Sequence, residues 1–241
     1  MAWWVDKTVG ATLGTLEAAF AMPGRRVGVS SMGEVVYADL AGQGYYIKRY
    51  HRAGGHLQAW VGQPRVEREW RNLRRFQQWG LNVPEVVAYG QQRRAGHFQR
   101  GALVTRALDN SVDLATLARH ADPRLGDPRW RDRVSRQVAR ALAVLHGHRF
   151  CHGDMKWRNV LVTDDRDRVF LIDCPSGRFW WGPMLRYRRI KDLACLDKVA
   201  RHQLSRSERL RFYLRYRGIA RLGRADKREV RKVLGFFQGR D

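Results

Sequence analysis

Cysteine is scarce in this chain. Its 241 residues hold only Cys151, Cys174 and Cys195, an odd number with no C-x-x-C spacing. That argues against a disulfide framework and a zinc site, and fits a reducing compartment. No uncharged apolar run approaches the ~20 residues needed to span a bilayer. Contact with a membrane would therefore be peripheral. The first eight residues carry Trp3, Trp4 and Asp6 and lack the pattern of a secretory signal, so a cytoplasmic location is expected. No internal repeat and no low-complexity stretch is seen. Lysine is rare too, with 7 Lys beside 39 Arg.

Acidic residues are few, 23 against 46 Lys plus Arg, and the formal net charge is +23. Such a chain is expected to meet a partner of dense negative charge: nucleic acid, anionic lipid or a phosphorylated glycan. Arginine grips phosphate through two parallel hydrogen bonds, whereas lysine acts as a point charge. A coding bias would explain Arg in place of Lys, but not the excess over Asp and Glu. Hydrophobic residues make up 44%, with nine Trp, enough for a globular core.

Hydrophobic patterning divides the chain. Residues 26–50 read as strands, with Val35–Tyr37 and Tyr45–Ile47 flanking the turn Ala41–Gly44. A helix opens at Pro64, sets Val66, Trp70, Leu73 and Phe76 on one face, and stops at Gly80. Val83–Tyr89 and Ala102–Ala107 are further expected strands. The later part is mostly helical. Asp127-Pro128 starts a helix whose Trp130, Val134, Val138, Leu142 and Leu145 recur at helical spacing up to Gly147. Strands Val160–Val162 and Val169–Ile172 flank the polar turn 163–168. Ser205–Glu208 reads as a capping box, and Asp226–Glu229 as a similar start. The predicted division is a strand-rich lobe at 1–106 and a helical lobe at 107–241, an α+β arrangement with the site in the cleft between them.

The chemistry concentrates in His152-Gly153-Asp154-Met155-Lys156-Trp157-Arg158-Asn159, between a long helix and a hairpin that Asp173 closes. Asp154, Asn159 and Asp173 thus lie near the two ends of one hairpin. Phosphoryl transfer needs such a set: a carboxylate to orient and deprotonate an acceptor hydroxyl, and hard oxygen ligands for magnesium. A polar turn with backbone-capping Asp and Asn is the plainer alternative. The spacing resembles the protein-kinase pattern H-x-D-x-K-x-x-N followed by a metal-binding Asp. That resemblance implies a bilobal protein-kinase-like fold with ATP and Mg2+. It implies Asp154 as catalytic base, Lys156 near the transferred phosphate, and Asn159 and Asp173 as magnesium ligands.

Tyr45-Tyr46-Ile47-Lys48 resembles the V-A-I-K strand, which would set Lys48 on the ATP phosphates. Glu67 and Glu69 both qualify as its partner. Glu69 is preferred, because it shares the Trp70–Leu73 neighbourhood and because Glu-Trp-x-x-Leu resembles the placement in lipopolysaccharide kinases. Gly24, Gly28 and Gly33 lack G-x-G-x-x-G spacing, and the turn Ser30–Gly33 is the best phosphate-covering candidate, or else only a strand connection. Gly33 and Val104 complete the expected nucleotide-binding set. Asp192 resembles the buried Asp that braces the catalytic loop. Cys174-Pro175 replaces the Phe-Gly that usually follows the metal Asp, and proline's fixed φ disfavours a flipping switch. Gly153 replaces the Arg of regulated kinases. Both changes point to a constitutively assembled enzyme.

From Lys48 to about Ala200 the chain resembles the lipopolysaccharide core kinases, which include heptose and Kdo kinases and InaA-type proteins. The resemblance implies phosphorylation of an inner-core sugar hydroxyl by a protein held peripherally at the cytoplasmic face of the inner membrane. The inner core and the membrane are both anionic, and each basic residue near headgroups contributes ~1 kcal/mol. Two basic regions could serve. Trp180-Trp181 and Tyr187 precede or interleave Arg186, Arg188, Arg189 and Lys191. Residues 201–241 carry eleven Arg and two Lys against four acids, with Leu210, Tyr213 and Leu214 on one helical face. Each could instead be lobe packing with a solvated basic face. Aminoglycoside and choline phosphotransferases share H-G-D…N, but a basic cleft would repel their cationic acceptors. Nucleic acid is less favoured, through an atypical RIO-like kinase acting near RNA or a kinase-like RNA- or membrane-binding module without transfer activity.

Overall fold

The computed structural model describes residues 2–54 and 59–239. They form two compact units, Met1–Gln78 with Val83–Asp109, and Trp79–Asn82 with Asn110–Asp241.

The first unit is built on an antiparallel sheet of β1 (Ala2–Val5), β2 (Arg25–Ser30), β3 (Gly33–Leu40), β4 (Gln43–Tyr50), β5 (Val86–Arg94) and β6 (His97–Arg106), in the order β1-β5-β6-β4-β3-β2. Side chains alternate across a sheet, and the register assigns the faces. Ile47 pairs with Val36 and Val104, and Lys48 pairs with Val35 and Leu103. The Ile47 face packs on Leu13 of α1 (Gly10–Leu13) and Leu16 and Ala19 of α2 (Leu16–Ala21). The Lys48 face carries α3 (Arg65–Gln78), with Trp70 stacked on Tyr89 at 4.4 Å between ring centroids. Val66, Leu73 and Phe76 are buried as their spacing predicts.

Arg49, one residue on from Lys48, points to the other face. It donates to the carbonyl oxygen of Ala19 at 3.0 Å and to that of Met22, while pairing with Glu34 at 3.0 Å. It thereby satisfies carbonyls left open where α2 ends. The hairpin of β3 and β4 turns on Ala41 and Gly42, both at positive φ (55° and 81°), as a two-residue connection that fits the twist of paired strands.

Some elements escaped the sequence reading. β1, α1 and α2 were not anticipated. β5 and β6 run on to Arg94 and from His97, past the expected limits. The polar residues Gln91–Arg94 and Gln99–Arg100 interrupt the apolar pattern, but they pair across the strands, as Arg100 Nε does with Gln92 Oε1 at 2.8 Å.

The second unit is helical around two small sheets. Its helices are α4 (Leu114–Arg119), α5 (Pro128–Gly147), α6 (Gly182–Gln203), α7 (Arg206–Arg217) and α8 (Arg224–Leu234). Asp127 caps α5 by accepting from the Arg129 N–H, with Pro128 at the first helical position. Ser205 and Glu208 form the expected capping box of α7. Asp226 lies inside α8 and reaches back to the Gly223 N–H at 3.1 Å, so α8 begins before it. Tyr213 is buried and donates to Glu229 at 3.0 Å, so this part of the 210–214 stripe packs inward onto α8. β7 (Ser111–Asp113), β9 (Val160–Thr163) and β10 (Val169–Leu171) form one sheet. β8 (Phe150–Cys151) and β11 (Arg178–Phe179) form the other. No helix among the described residues is long and apolar enough to cross a membrane.

Gly33 has a steric explanation. A Cβ there would lie 1.8 Å from the Arg49 carbonyl oxygen, where β3 meets the end of β4. Gly33→Ala is expected to destabilise the protein by about 2 kcal/mol or more. Urea unfolding checks this. An unchanged midpoint would show that the strands can part there without cost.

Candidate active site

The loop 152–159 leaves β8 and enters a short 3-10 turn, Trp157–Asn159, that leads into β9. Asp192 of α6, fully buried, holds the loop's first residues. Its carboxylate accepts the N–H of His152 at 2.7 Å and of Gly153 at 3.0 Å. His146 Nε2 lies 3.4 Å from the same carboxylate, and His146 Nδ1 lies 2.7 Å from the Tyr216 hydroxyl. This is a chain of buried polar groups running from α7 through α5 and α6 to the loop. Trp157 ties the far end down by donating to the Leu196 carbonyl oxygen at 2.9 Å. Gly153 has φ +81°, and a Cβ on it would meet the Ser176 carbonyl oxygen at 3.0 Å. The glycine lets the loop turn left-handed and lie against the segment after Asp173.

Asp154 is partly exposed and faces two cations. Lys156 Nζ is 2.6 Å away and Arg158 Nη2 is 3.4 Å away. Burial alone would raise its pKa. The hydrogen bond and charge of Lys156, then Arg158 and Asn159, outweigh burial and hold the carboxyl below the usual carboxylate range. Asp154 is therefore ionised at neutral pH. The Asn159 amide nitrogen donates to the Asp154 backbone oxygen at 2.7 Å. Its Oδ1 is left as the acceptor of that side chain.

Asp173 reaches the same neighbourhood through the hairpin. Leu171 pairs with Val160, and the Ile172 N–H donates to the Asn159 carbonyl oxygen at 3.1 Å. Asp173 follows with φ +57°, a left-handed conformation that Asp and Asn adopt more readily than bulkier residues. The expected cluster of Asp154, Lys156, Asn159 and Asp173 is thus gathered on one short stretch of the second unit.

Lys48 and Glu69 form their own pair in the first unit. Lys48 Nζ is 2.5 Å from Glu69 Oε1, and the Tyr50 hydroxyl donates to Glu69 Oε2. Glu69 is 1% exposed. The alternative, Glu67, is instead engaged with Arg71 at 2.7 Å and Gln91 at 3.2 Å. Gly33 sits at the end of the turn Ser31–Met32, whose Met32 carbonyl accepts from His51 and Arg52. Val104 corrects an expectation. It is fully buried on the α1–α2 face with Ile47 and Ala88, on the opposite side of the sheet from Lys48, so its side chain has no access to a nucleotide there.

Tyr50, His146 and Tyr216 were missed by the sequence reading. Tyr50 stands two residues from Lys48 on one strand, so the period of two could have found it. Nothing local signals the other two. His146, Cys151 and Asp192 offer ligand atoms within 4.8 Å of one another. The Asp192 carboxylate is already committed to backbone, however, and burial followed by the nearby Asp192 charge pushes the Cys151 thiol up to about 12, so the trio reads as a brace. An apolar cavity of about 560 Å³ among α5, α6, α7 and α8 contains none of Asp154, Asn159 or Asp173 in its lining, so its position does not suit phosphoryl transfer.

A Lys–Glu pair joining strand and helix, together with an H-G-D-x-K-x-x-N loop and a following Asp, is the residue pattern of protein-kinase-like phosphotransferases. The family model described as the lipopolysaccharide kinase (Kdo/WaaP) family matches residues 15–216, and the chain belongs to that family. It is 27% identical over 157 residues to a 3-deoxy-D-manno-octulosonic acid kinase of Actinobacillus succinogenes, covering 59% of this chain and 62% of that protein. It is 28% identical over 193 residues to the lipopolysaccharide core heptose(I) kinase WaaP of Pseudomonas aeruginosa, covering 74% of this chain and 71% of that protein. The chain therefore spans under two thirds of the first relative's length. A solved structure of WaaP in complex with acyl carrier protein matches with a TM-score of 0.76 and 25% identity, over 100% of this chain and 98% of that one. The expected family and kinase-like fold are borne out, and ATP is the donor that a kinase family implies.

His152 gives a pH test of the loop. Burial holds its imidazole below the ordinary value against the opposing pull of Asp192, Asp173 and Asp154. A histidine with a depressed folded pKa contributes fully above its unfolded value of ~6.5, and that contribution is lost as pH falls below it. Urea unfolding without nucleotide is expected to show lower stability at about pH 5.5 than at about pH 7.5. The difference should shrink in His152→Gln; an equal drop in both proteins would remove His152 as its source.

Proposed function

We propose that this protein transfers the terminal phosphate of ATP to a sugar hydroxyl, of heptose or Kdo, in the lipopolysaccharide inner core. The observation that carries the proposal is the ionised Asp154, held between Lys156 and Asn159 on a loop braced by buried Asp192, in a chain of the lipopolysaccharide kinase family. Asp154 accepts the hydrogen bond of the acceptor hydroxyl, orients its oxygen and takes its proton as the new phosphate ester forms. A carboxyl with a depressed pKa is a weak base, so orientation is the larger part of its task. Lys156, already beside the carboxylate, lies within reach of the phosphate being transferred. Lys48, fixed by Glu69, holds the phosphates of the donor.

Asn159 Oδ1 and the Asp173 carboxylate are hard oxygen donors one residue apart across the hairpin, and they fit magnesium. When bound, magnesium would neutralise charge on the β- and γ-phosphates. The turn ending at Gly33 offers backbone N–H groups and the exposed Ser31 hydroxyl to cover phosphate. Peripheral attachment to the cytoplasmic face of the inner membrane completes the proposal, since the acceptor glycan is carried on lipid.

Labelled ATP with purified, dephosphorylated core glycan tests this. Label is expected in the glycan with the parent. Asp154→Ala should bind ATP normally and lose roughly 10²–10⁴ in turnover. Parent-like transfer by Asp154→Ala would sink the assignment of the base. Lys48→Met should instead weaken nucleotide binding as well as turnover, and unchanged affinity would remove Lys48 from the phosphate site.

A further inference from the structure

Three large apolar side chains at the start of α6 are exposed: Trp181 at 62%, Met184 at 46% and Tyr187 at 41%. They recur every third residue, so they share one side of the helix's first turns. Neighbouring aromatics are covered. Trp180 lies under the Arg188 guanidinium at 4.4 Å, and Phe179 packs edge-on against Phe150 at 5.3 Å. The exposed ridge is flanked by Arg178 and Arg186, both exposed. Between Asp173 and Asp192 the chain has five cations and no Asp or Glu. Tyr187 also lies 5.6 Å from Phe236, just after α8, whose own sequence carries Arg224, Lys227, Arg228, Arg231 and Lys232.

We infer that this ridge docks on an anionic lipid surface, with Trp181 and Met184 entering the headgroup region and Arg178 and Arg186 pairing with lipid phosphates. Tryptophan and tyrosine favour the membrane–water interface, and basic residues beside them favour anionic lipid. The absence of any acid over eighteen residues supplies the charge complementarity. Position supplies a purpose. Trp181 lies eight residues from Asp173, no more than ~29 Å even for extended chain. Docking there keeps the metal-binding segment close to the bilayer, where a lipid-borne glycan is found. The inference rests on the reading of the acceptor as a glycolipid.

Sedimentation with vesicles of phosphatidylglycerol and phosphatidylethanolamine in equal parts, beside vesicles of phosphatidylcholine alone, tests it. The parent should bind the anionic vesicles and not the neutral ones. Trp181→Ala with Met184→Ser should lower partitioning roughly tenfold, and Arg178→Gln with Arg186→Gln should remove much of its salt dependence. Both variants should phosphorylate delipidated core glycan at the parent rate and slow only on vesicle-borne acceptor. Equal binding by parent and variants, equal binding to neutral vesicles, or capture of an acidic protein with no vesicle binding would each overturn the inference. If the parent labelled neither glycan while the difference in sedimentation held, the acceptor reading would fail and the docking surface would stand.

Discussion

The buried carboxylate of Asp192 is the constraint on which the site depends. Two consecutive backbone N–H groups, those of His152 and Gly153, end on it, and His146 lies beside it. Hydrogen bonds to a charged group contribute about 1.5–3 kcal/mol each, and a buried N–H left without a partner costs about as much. The loop has no regular ladder of its own over these residues, so its path is set by this carboxylate and by the Trp157 anchor. Gly153 is required by the same arrangement, because a side chain would collide with the backbone at Ser176. Asp192 touches neither phosphate nor acceptor in the proposed mechanism, and it positions groups that do.

The arginine excess divides into two uses. Many acids are committed to arginine inside a unit. Asp132 takes Arg136 and Arg215 at 2.7 Å each, Asp197 receives Arg209 through two bonds of 2.7 Å, and Glu208 receives Arg131 at 2.7 Å. The planar fork of arginine suits such pairs better than lysine does. Yet 23 acids cannot match 46 cations. Some of the remainder is turned onto backbone carbonyls, as Arg189 is onto that of His146, and some, such as Arg178 and Arg186, is exposed; in the stretch 174–191 no acid offsets it. The charge therefore bears on the packing of the helical unit and, in the proposed function, on the choice of an anionic partner.

The ion pairs of the two units differ in kind. Glu69 is buried and shared by Lys48 and Tyr50, so the carboxylate that Lys48 meets is fixed from two sides. Lys156 and Arg158 are exposed, and their pairs with Asp154 are screened by solvent. They hold the carboxylate ionised without committing it, which in the proposed mechanism leaves Asp154 free to exchange partners.

Much of this was legible in the sequence because it is local. The octapeptide from His152 to Asn159, the hairpin to Asp173 and the helical spacing on either side are short-range patterns. So are the Asp127-Pro128 start of α5 and the Ser205–Glu208 capping box. Glu69 could be preferred over Glu67 by its place beside Trp70 and Leu73 and by resemblance, and the three-dimensional pairing is what separates them. Val104 shows the limit. Its neighbours in sequence place it on a strand, but which face it joins depends on register with β4 and β5, pairings that span tens of residues. The same holds for His146 and Tyr216, seventy residues apart and joined at 2.7 Å. It holds for Gly33, whose need for a bare Cα comes from Arg49 across the hairpin. Sequence by itself determined the class of chemistry, since residue type and spacing fix which groups can act together along one short loop. Tertiary structure alone decided which groups hold that loop in place and which apolar side chains are left facing outward, because those outcomes depend on contacts between segments far apart in the chain.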